Sequence, residues 1–365
     1  MNISQEFEVK TERLRNLLAQ RSLDAIYLKR QDDFAWLSCG GRNYVGAGDL
    51  GNCGLLVSKD GLFAVTSTIE ANRMMAEENI GELGFSMRAG VWHDASFEAK
   101  TIESLVPGGK VGYDFGQANN VAADVKDLRM DLTEAEIGKY RKIGSLAAQV
   151  MEHVTGGVKP GDSEFEIAAR IIGEMEAQGL ELVSCMVAAD ERIADYRHPL
   201  PTYKRVKGRV QTGGNFKLYG LIVCMTRYVN FEPVSKRLRE QYRVTQLIDC
   251  TYMARSTPGA TYQTPLLAGK KAYETHGYPD EFDKHHQGGP IGYAGRDFRV
   301  DHTVGGVIRE HQAFCWNPSI TGTKSEDTII VTGKGVEILT APDVFPKVSI
   351  EACGKKFVRP DILER

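Results

Sequence analysis

The segment from Thr133 to Ala188 limits the possible folds more than any other part of the chain. Thr133-Glu134-Ala135-Glu136 is a capping-box signature, and Ile137, Tyr140, Ile143, Ala147, Val150 and Val154 then line one face at helical spacing. Gly156-Gly157 and Pro160-Gly161 stop that helix. Asp162-Ser163 opens a second amphipathic helix through Ile167, Ile171, Ile172 and Met175, and a strand-length apolar run follows at Leu182–Ala188. Two helices, each with one apolar face, must bury those faces against another layer, and the strands that follow can supply it. Gly208–Phe231 reads as a long antiparallel pair, Ser235–Arg255 and Gln263–His276 as two more helices, and Ala313–Trp316 and Thr328–Val331 as closing strands.

The residues before this segment carry their own pattern. Thr11–Arg21 has helical leucine spacing, Asp24–Leu28 is a short apolar strand, and Asn52–Ser58 and Gly61–Thr66 flank a Lys59–Asp60–Gly61 turn. Ser67–Asn79 predicts a helix, and Gly112–Tyr113 another strand. With a boundary near Arg129–Leu132, the expected organisation is an α/β (α+β) chain of two domains, 1–130 and 131–365. None of these strands is followed by a phosphate-binding glycine fingerprint.

Charge and cysteine content narrow the function. Lys and Arg number 45 against 48 Asp and Glu, a net charge of −3 without the basic surplus that nucleic-acid binding needs. The first twenty residues carry Glu6, Glu8, Glu12 and Arg13 and no apolar run, so they do not read as a secretory signal. Nothing reaches the length of a membrane span. The seven cysteines are scattered with no CxxC pair, which excludes a zinc-ribbon site and fits a reduced, cytoplasmic setting.

Seven motifs, in order over the second half, resemble the creatinase / Xaa-Pro aminopeptidase family, whose fold is called pita-bread. They are Leu132–Lys142, Val158–Ala168, Arg197–Gly208, Gly220–Arg227, His285–Tyr293, Trp316–Gly322 and Lys324–Thr340. The resemblance implies a small creatinase-like N-terminal α/β domain and a C-terminal pita-bread domain. It also implies a homodimer in which Trp36, Arg42 and Asn43 of one subunit could reach the partner's site. Metallopeptidases of the family bind two metals through two Asp, one His and two Glu. Those positions fall here on Gly213 (Gly214 with a slip of one), Cys224, Gly289, Asn317 and Glu326. One carboxylate cannot offset two dications, so no dimetal centre and no cofactor is expected. Creatinase, which keeps the fold without metals, uses a histidine base, and His198 and Thr202 match its His-x-Pro-x-Thr stretch. Its hairpin carboxylate and its Glu-Pro glutamate become Thr226 and Asn317, so creatine itself is not the expected substrate.

The expected site therefore has His198 as base and Glu326 as a second acid/base group, whose pKa burial without a partner would raise, or else as a salt-bridge partner of Lys324 or of an arginine. His286 is expected to face the cleft while His285 points away, because neighbours in a strand alternate. Arg296 and Arg227 are candidates for a substrate carboxylate through their bidentate fork. Asn317, Tyr293, Lys324 and Cys224 complete the expected substrate-binding set. The implied activity is metal-independent hydrolysis, or elimination, at a C–N bond of a small, polar, carboxylate-bearing molecule. The alternatives are a metal-dependent Xaa-Pro aminopeptidase or dipeptidase and a non-catalytic binding module.

Overall fold

The computed structural model describes residues 2–116 and 118–365. The chain forms two compact units, one holding the chain up to Glu136 with Tyr219–Leu221, the other Ile137–Leu218 with Ile222–Arg365.

The first unit is built on a five-stranded sheet of β1 (Ala25–Arg30), β2 (Leu50–Ser58), β3 (Leu62–Ser67), β4 (Ser86–Gly90) and β5 (Val111–Tyr113), in the order β4-β3-β2-β1-β5. Tyr27, Leu56, Val65 and Ile102 fill its core. Its first helix runs over Ile3–Arg21, starting earlier than the leucine spacing alone indicates, because Asn2 and Gln5 cap each other reciprocally. The expected Ser67–Asn79 helix is shorter, Ala71–Glu77. Trp36 and Asn43 are wholly buried, and Asn43 Nδ2 donates to the Lys29 and Cys53 carbonyls, so neither side chain is available to a partner subunit. Arg42 is exposed beside Glu78.

The second unit is built on an eight-stranded sheet. Its main path is β6 (Glu181–Ala189), β7 (Arg209–Leu218), β8 (Leu221–Asn230), β13 (Asp327–Thr332), β10 (Ala313–Trp316) and β9 (Gly288–Pro290), with β14 (Gly335–Ile338) on β13 and β17 (Leu363–Glu364) on β8. Two small hairpins, β11 (Ser319–Ile320) with β12 (Thr323–Lys324) and β15 (Lys347–Ala352) with β16 (Lys355–Pro360), stand apart from it. The Thr133 capping box is formed: Glu136 Oε2 accepts from the Thr133 amide at 2.7 Å, and Thr133 Oγ1 from the Glu136 amide at 3.3 Å. Helices Lys236–Arg255 and Gln263–Thr275 pack Ile248, Tyr252, Met253 and Tyr273 against Phe314, Trp316, Ile329 and Val331 of the sheet. Tyr252 stacks on Trp316 with ring centroids 4.9 Å apart.

Asp327, at the head of β13, lies between two wholly buried arginines. Its Oδ1 is 3.0 Å from Arg227 Nη1 and its Oδ2 is 2.8 Å from Arg359 Nη1. Glu152 completes Arg227 at 2.9 Å, and Asp249 completes Arg359 at 2.5 Å. Charges so deep are tolerated only when paired; each is paired here, although Asp327 Oδ2, Asp249 Oδ1 and Arg359 Nε and Nη1 make no hydrogen bond. The network fixes where β8 and β13 meet, and that junction presents Thr226 and Glu326 to the site. Arg227, expected to bind substrate, is part of this network and is corrected to a structural residue.

Candidate active site

Two irregular segments bring the histidines together. His198 lies in the loop after β6, and His285 and His286 follow a 3-10 turn at Pro279–Lys284. Arg197 joins the segments: its Nη2 is 2.5 Å from Glu281 Oε2 and donates to Thr321 Oγ1 at 2.9 Å. Thr202 pins the far side of the loop, its hydroxyl and amide both donating to Glu164 Oε2. Gln287 holds the other segment, its Nε2 donating to the carbonyls of Phe282 and His285.

The Nε2 atoms of His198 and His285 are 3.1 Å apart, with donor and acceptor set by the tautomers. The His285 and His286 rings stack at 4.4 Å. The expectation that only His286 faces this site is therefore corrected. The adjacent histidines sit at the exit of a turn, not in a strand, so strand alternation does not separate them. Burial, followed by the nearby Lys324 charge, lowers the proton affinity of His198 and pushes His285 down to about 2. Burial, then Arg296 and Arg299, pushes His286 down to about 4. Near neutral pH all three imidazoles are uncharged.

Glu326 takes the salt-bridged alternative rather than the acid/base role. Burial alone would raise its pKa, but Lys324 Nζ at 2.9 Å, Arg296 Nη2 at 4.0 Å and the Thr226 hydroxyl donating at 2.7 Å outweigh it and hold the carboxyl down at about 2. A carboxylate held so firmly is a weak base, so its assignment as an acid/base group is corrected. It serves to position Lys324, Arg296 and Thr226. Lys324 is almost wholly buried in this pair. Arg296 also contacts the buried Cys224 Sγ at 3.7 Å. A hydrogen bond with Cys315, opposed by burial and aided by Arg296, lowers the pKa of Cys224. Asn317 is buried with Oδ1 unpartnered, and its backbone N–H donates to the Gln287 carbonyl. Tyr293 is buried in the loop before Arg296.

The positions assigned to metal ligands do not fit a dimetal centre. A Cβ at Gly213 would lie 2.9 Å from Thr226 Oγ1, and one at Gly289 would lie 2.3 Å from the Phe298 carbonyl oxygen. At Gly214 it would meet Ser184 and Phe216 instead, so Gly213 is the one that borders Thr226. The close approaches that Gly288 and Gly289 permit are to protein backbone, the Cys315 and Phe298 carbonyls, rather than to a ligand. Cys224 lies against Arg296, Asn317 is a neutral amide, and Glu326 already has cationic partners. His198, His285 and His286 each bring a ring nitrogen to within 4.8 Å of the others, a spacing compatible with one imidazole-bound ion. Lys324, Arg296 and Arg299 act on these same rings and oppose a second positive centre there.

The chain belongs to metallopeptidase family M24, which its residues 138–333 match. It is 25% identical over 244 residues to an uncharacterized peptidase, MW1651, of Staphylococcus aureus strain MW2, covering 63% of this chain and 68% of that one. Among solved structures it resembles a Xaa-Pro dipeptidase from Bacillus anthracis, with a TM-score of 0.75, 20% identity and coverage of 98% of this chain and 100% of that one. It also resembles the prolidase from Pyrococcus horikoshii OT3, with a TM-score of 0.76, 18% identity and 92% and 98% coverage. At such identities the structural likenesses show the fold.

Among the described residues no helix is long and apolar enough to cross a membrane.

Proposed function

We propose that this protein hydrolyses a C–N bond of a small polar substrate without the paired metals of its family, using His198 as the general base. The observation that carries this reading is an accessible imidazole, kept neutral by burial and by Lys324, in contact with a second neutral imidazole. Neutral His198, with Nε2 engaged by His285, takes a proton from water through Nδ1, and the resulting hydroxide adds to the carbon of the scissile C–N bond. The positive field of Lys324 favours the negative charge that develops on the substrate. Collapse of the adduct breaks the C–N bond, and the leaving nitrogen takes the proton back from His198. His285 fixes the His198 ring through the shared Nε2 contact.

The test is turnover by protein dialysed against a chelator, over a panel of N-acyl amino acids, amidines and dipeptides. Retained turnover that His198→Ala abolishes supports the reading. Turnover that disappears on chelation and returns with Mn2+ or Zn2+ overturns it.

The second reading, a metal-dependent peptidase acting on Xaa-Pro bonds, is favoured by membership of a metallopeptidase family and by the structural likeness to a Xaa-Pro dipeptidase and a prolidase. The same chelation experiment decides between the two.

A further inference from the structure

We infer that His198, His285 and His286 form a site for one transition-metal ion of the Cu2+, Ni2+ or Zn2+ kind, on residues other than those assigned to the family's paired metals, and that the bound ion switches off the His198 base. The binding stands on geometry, and the inhibition rests on the function proposed above.

The three rings come from two irregular segments and close on one another. One ring nitrogen from each lies within 4.8 Å of the other two. Ring centroids are 4.8 Å apart for His198 and His285, 5.9 Å for His198 and His286, and 4.4 Å for His285 and His286. The Nε2 atoms of His198 and His285 already stand 3.1 Å apart. Two imidazole nitrogens about 2.0–2.1 Å from one tetrahedral ion stand about 3.3 Å from each other. The first two rings are therefore close to a coordinating separation, and the widest gap closes by about 1.5 Å of ring movement. His198 is exposed, which gives an ion an entry path and leaves a coordination position for water.

The surroundings select among ions. Lys324, Arg296 and Arg299 act on these rings as positive charges, and Glu326 acts on His198 and His285 with the opposite sign. Ca2+ and Mg2+ are held by oxygen ligands, chiefly carboxylates, and three neutral nitrogens among cations offer them little. Cu2+, Ni2+ and Zn2+ bind the imidazole nitrogen itself. His285 Nδ1 and His286 Nδ1 have no hydrogen-bond partner, so no carbonyl or carboxylate orients these rings from behind. Such support is worth about 10–100-fold in affinity. The site is thus a reversible one, weaker than a structural zinc site.

The inhibition follows from proton bookkeeping on one ring. In the mechanism above, His198 donates its Nε2 proton to His285 Nε2 and accepts through Nδ1. An ion on His198 Nε2 takes the lone pair there, and the displaced proton moves to Nδ1. The ring stays neutral and no proton is released, but Nδ1 no longer accepts. His285 Nε2, already an acceptor, binds the ion with the lone pair that had received the hydrogen bond.

The probes are ZnCl2, CuCl2 and MgCl2, titrated calorimetrically into the full chain after dialysis against EDTA and removal of the chelator. One Zn2+ or one Cu2+ per chain, and no Mg2+, is expected. The copper adduct should give an electron paramagnetic resonance signal split by three nitrogens. His285→Asn and His286→Asn should each weaken zinc binding by about tenfold or more. Cys353→Ser, which removes the exposed thiol, should leave it unchanged. Fewer than three nitrogens on copper, or zinc binding lost with Cys353→Ser, overturns the inference, and the copper signal needs no variant to fold. One equivalent of zinc should lower turnover by the EDTA-treated protein at least tenfold, and EDTA should restore it. Bound zinc that leaves turnover unchanged overturns the inhibition. Bound zinc that raises turnover overturns both the inhibition and the proposed function and leaves the metal site standing. A substrate panel without turnover defeats the proposed function, while the copper signal still decides the site.

Discussion

Lys324 Nζ lies 2.9 Å from Glu326 Oε2, and both side chains are almost completely removed from solvent. The pair sits where the family pattern would have a carboxylate facing metal, so the ammonium supplies locally the charge that a cation would have brought. Lys324→Met leaves a buried carboxylate with only the more distant Arg296 and the Thr226 hydroxyl. Loss of one member of such a pair costs about 3–5 kcal/mol, measurable by urea unfolding. The same change should raise the proton affinity of Glu326 and of His198, moving the acid limb of any pH–rate profile to higher pH.

Acid should destabilise the fold earlier than its carboxylates alone would allow. The three imidazoles bind protons less readily in the folded chain than in the unfolded one. Between about pH 6.5, where an unfolded histidine titrates, and the folded value of about 4 for His286, the unfolded state therefore holds more protons. Stability should fall as pH drops through that window. Glu326 and Glu281, both held at about 2, add a second loss only below the unfolded carboxylate range near about pH 4.3. Because His285, held at about 2, goes on losing stability through the carboxylate window, urea midpoints should fall continuously from about pH 6.5 and more steeply below about pH 4.3, and His286→Gln should make the upper part shallower.

His198→Ala should reduce kcat/KM on the true substrate by about a hundredfold to ten-thousandfold, the range of a lost general base. Glu326→Gln should act differently. It releases Lys324 and Arg296 rather than removing a proton acceptor, so substrate affinity and stability should change while a pH-dependent step is retained. Steady-state kinetics on both variants separates a base from a positioning residue.

Asp327→Asn should be among the most damaging changes outside the site. It removes the carboxylate shared by Arg227 and Arg359 and leaves each with one buried partner, Glu152 or Asp249, so breaking these contacts should cost about 1–3 kcal/mol. Thermal unfolding should show the loss directly, with activity falling only as far as the folded fraction falls.

Much of this fold is legible in the sequence where a local rule governs. The Thr133 capping box, the long hairpin ending at Asn230 and the closing strand at Ala313–Trp316 follow from spacing and turn chemistry. The site is less legible because its properties depend on partners distant in sequence. Arg227 shows its structural role only once Glu152 and Asp327 are brought against it. Glu326 reads either as a carboxyl raised by burial or as a salt-bridge partner of Lys324 or an arginine, and only the folded positions of Lys324 and Arg296 decide the sign. His285 is set by a 3-10 turn that the run Pro279–Lys284 signals only weakly, and by Arg197 reaching Glu281. A proline at the first position of that turn was the available signal.

The space at Gly213 also limits how this chain can change. A side chain there would press against Thr226 Oγ1, which is itself bonded to Glu326, which in turn holds Lys324. Gly213→Asp alone should therefore cost about 1–3 kcal/mol through overpacking, and metal analysis of the purified variant should find no gain in bound divalent ion. Recovering a metal ligand would require Gly213, Thr226 and Lys324 to change together, and each single step passes through a less stable protein. Packing at Gly213, as well as the missing carboxylate, thus opposes a metal ligand at this position.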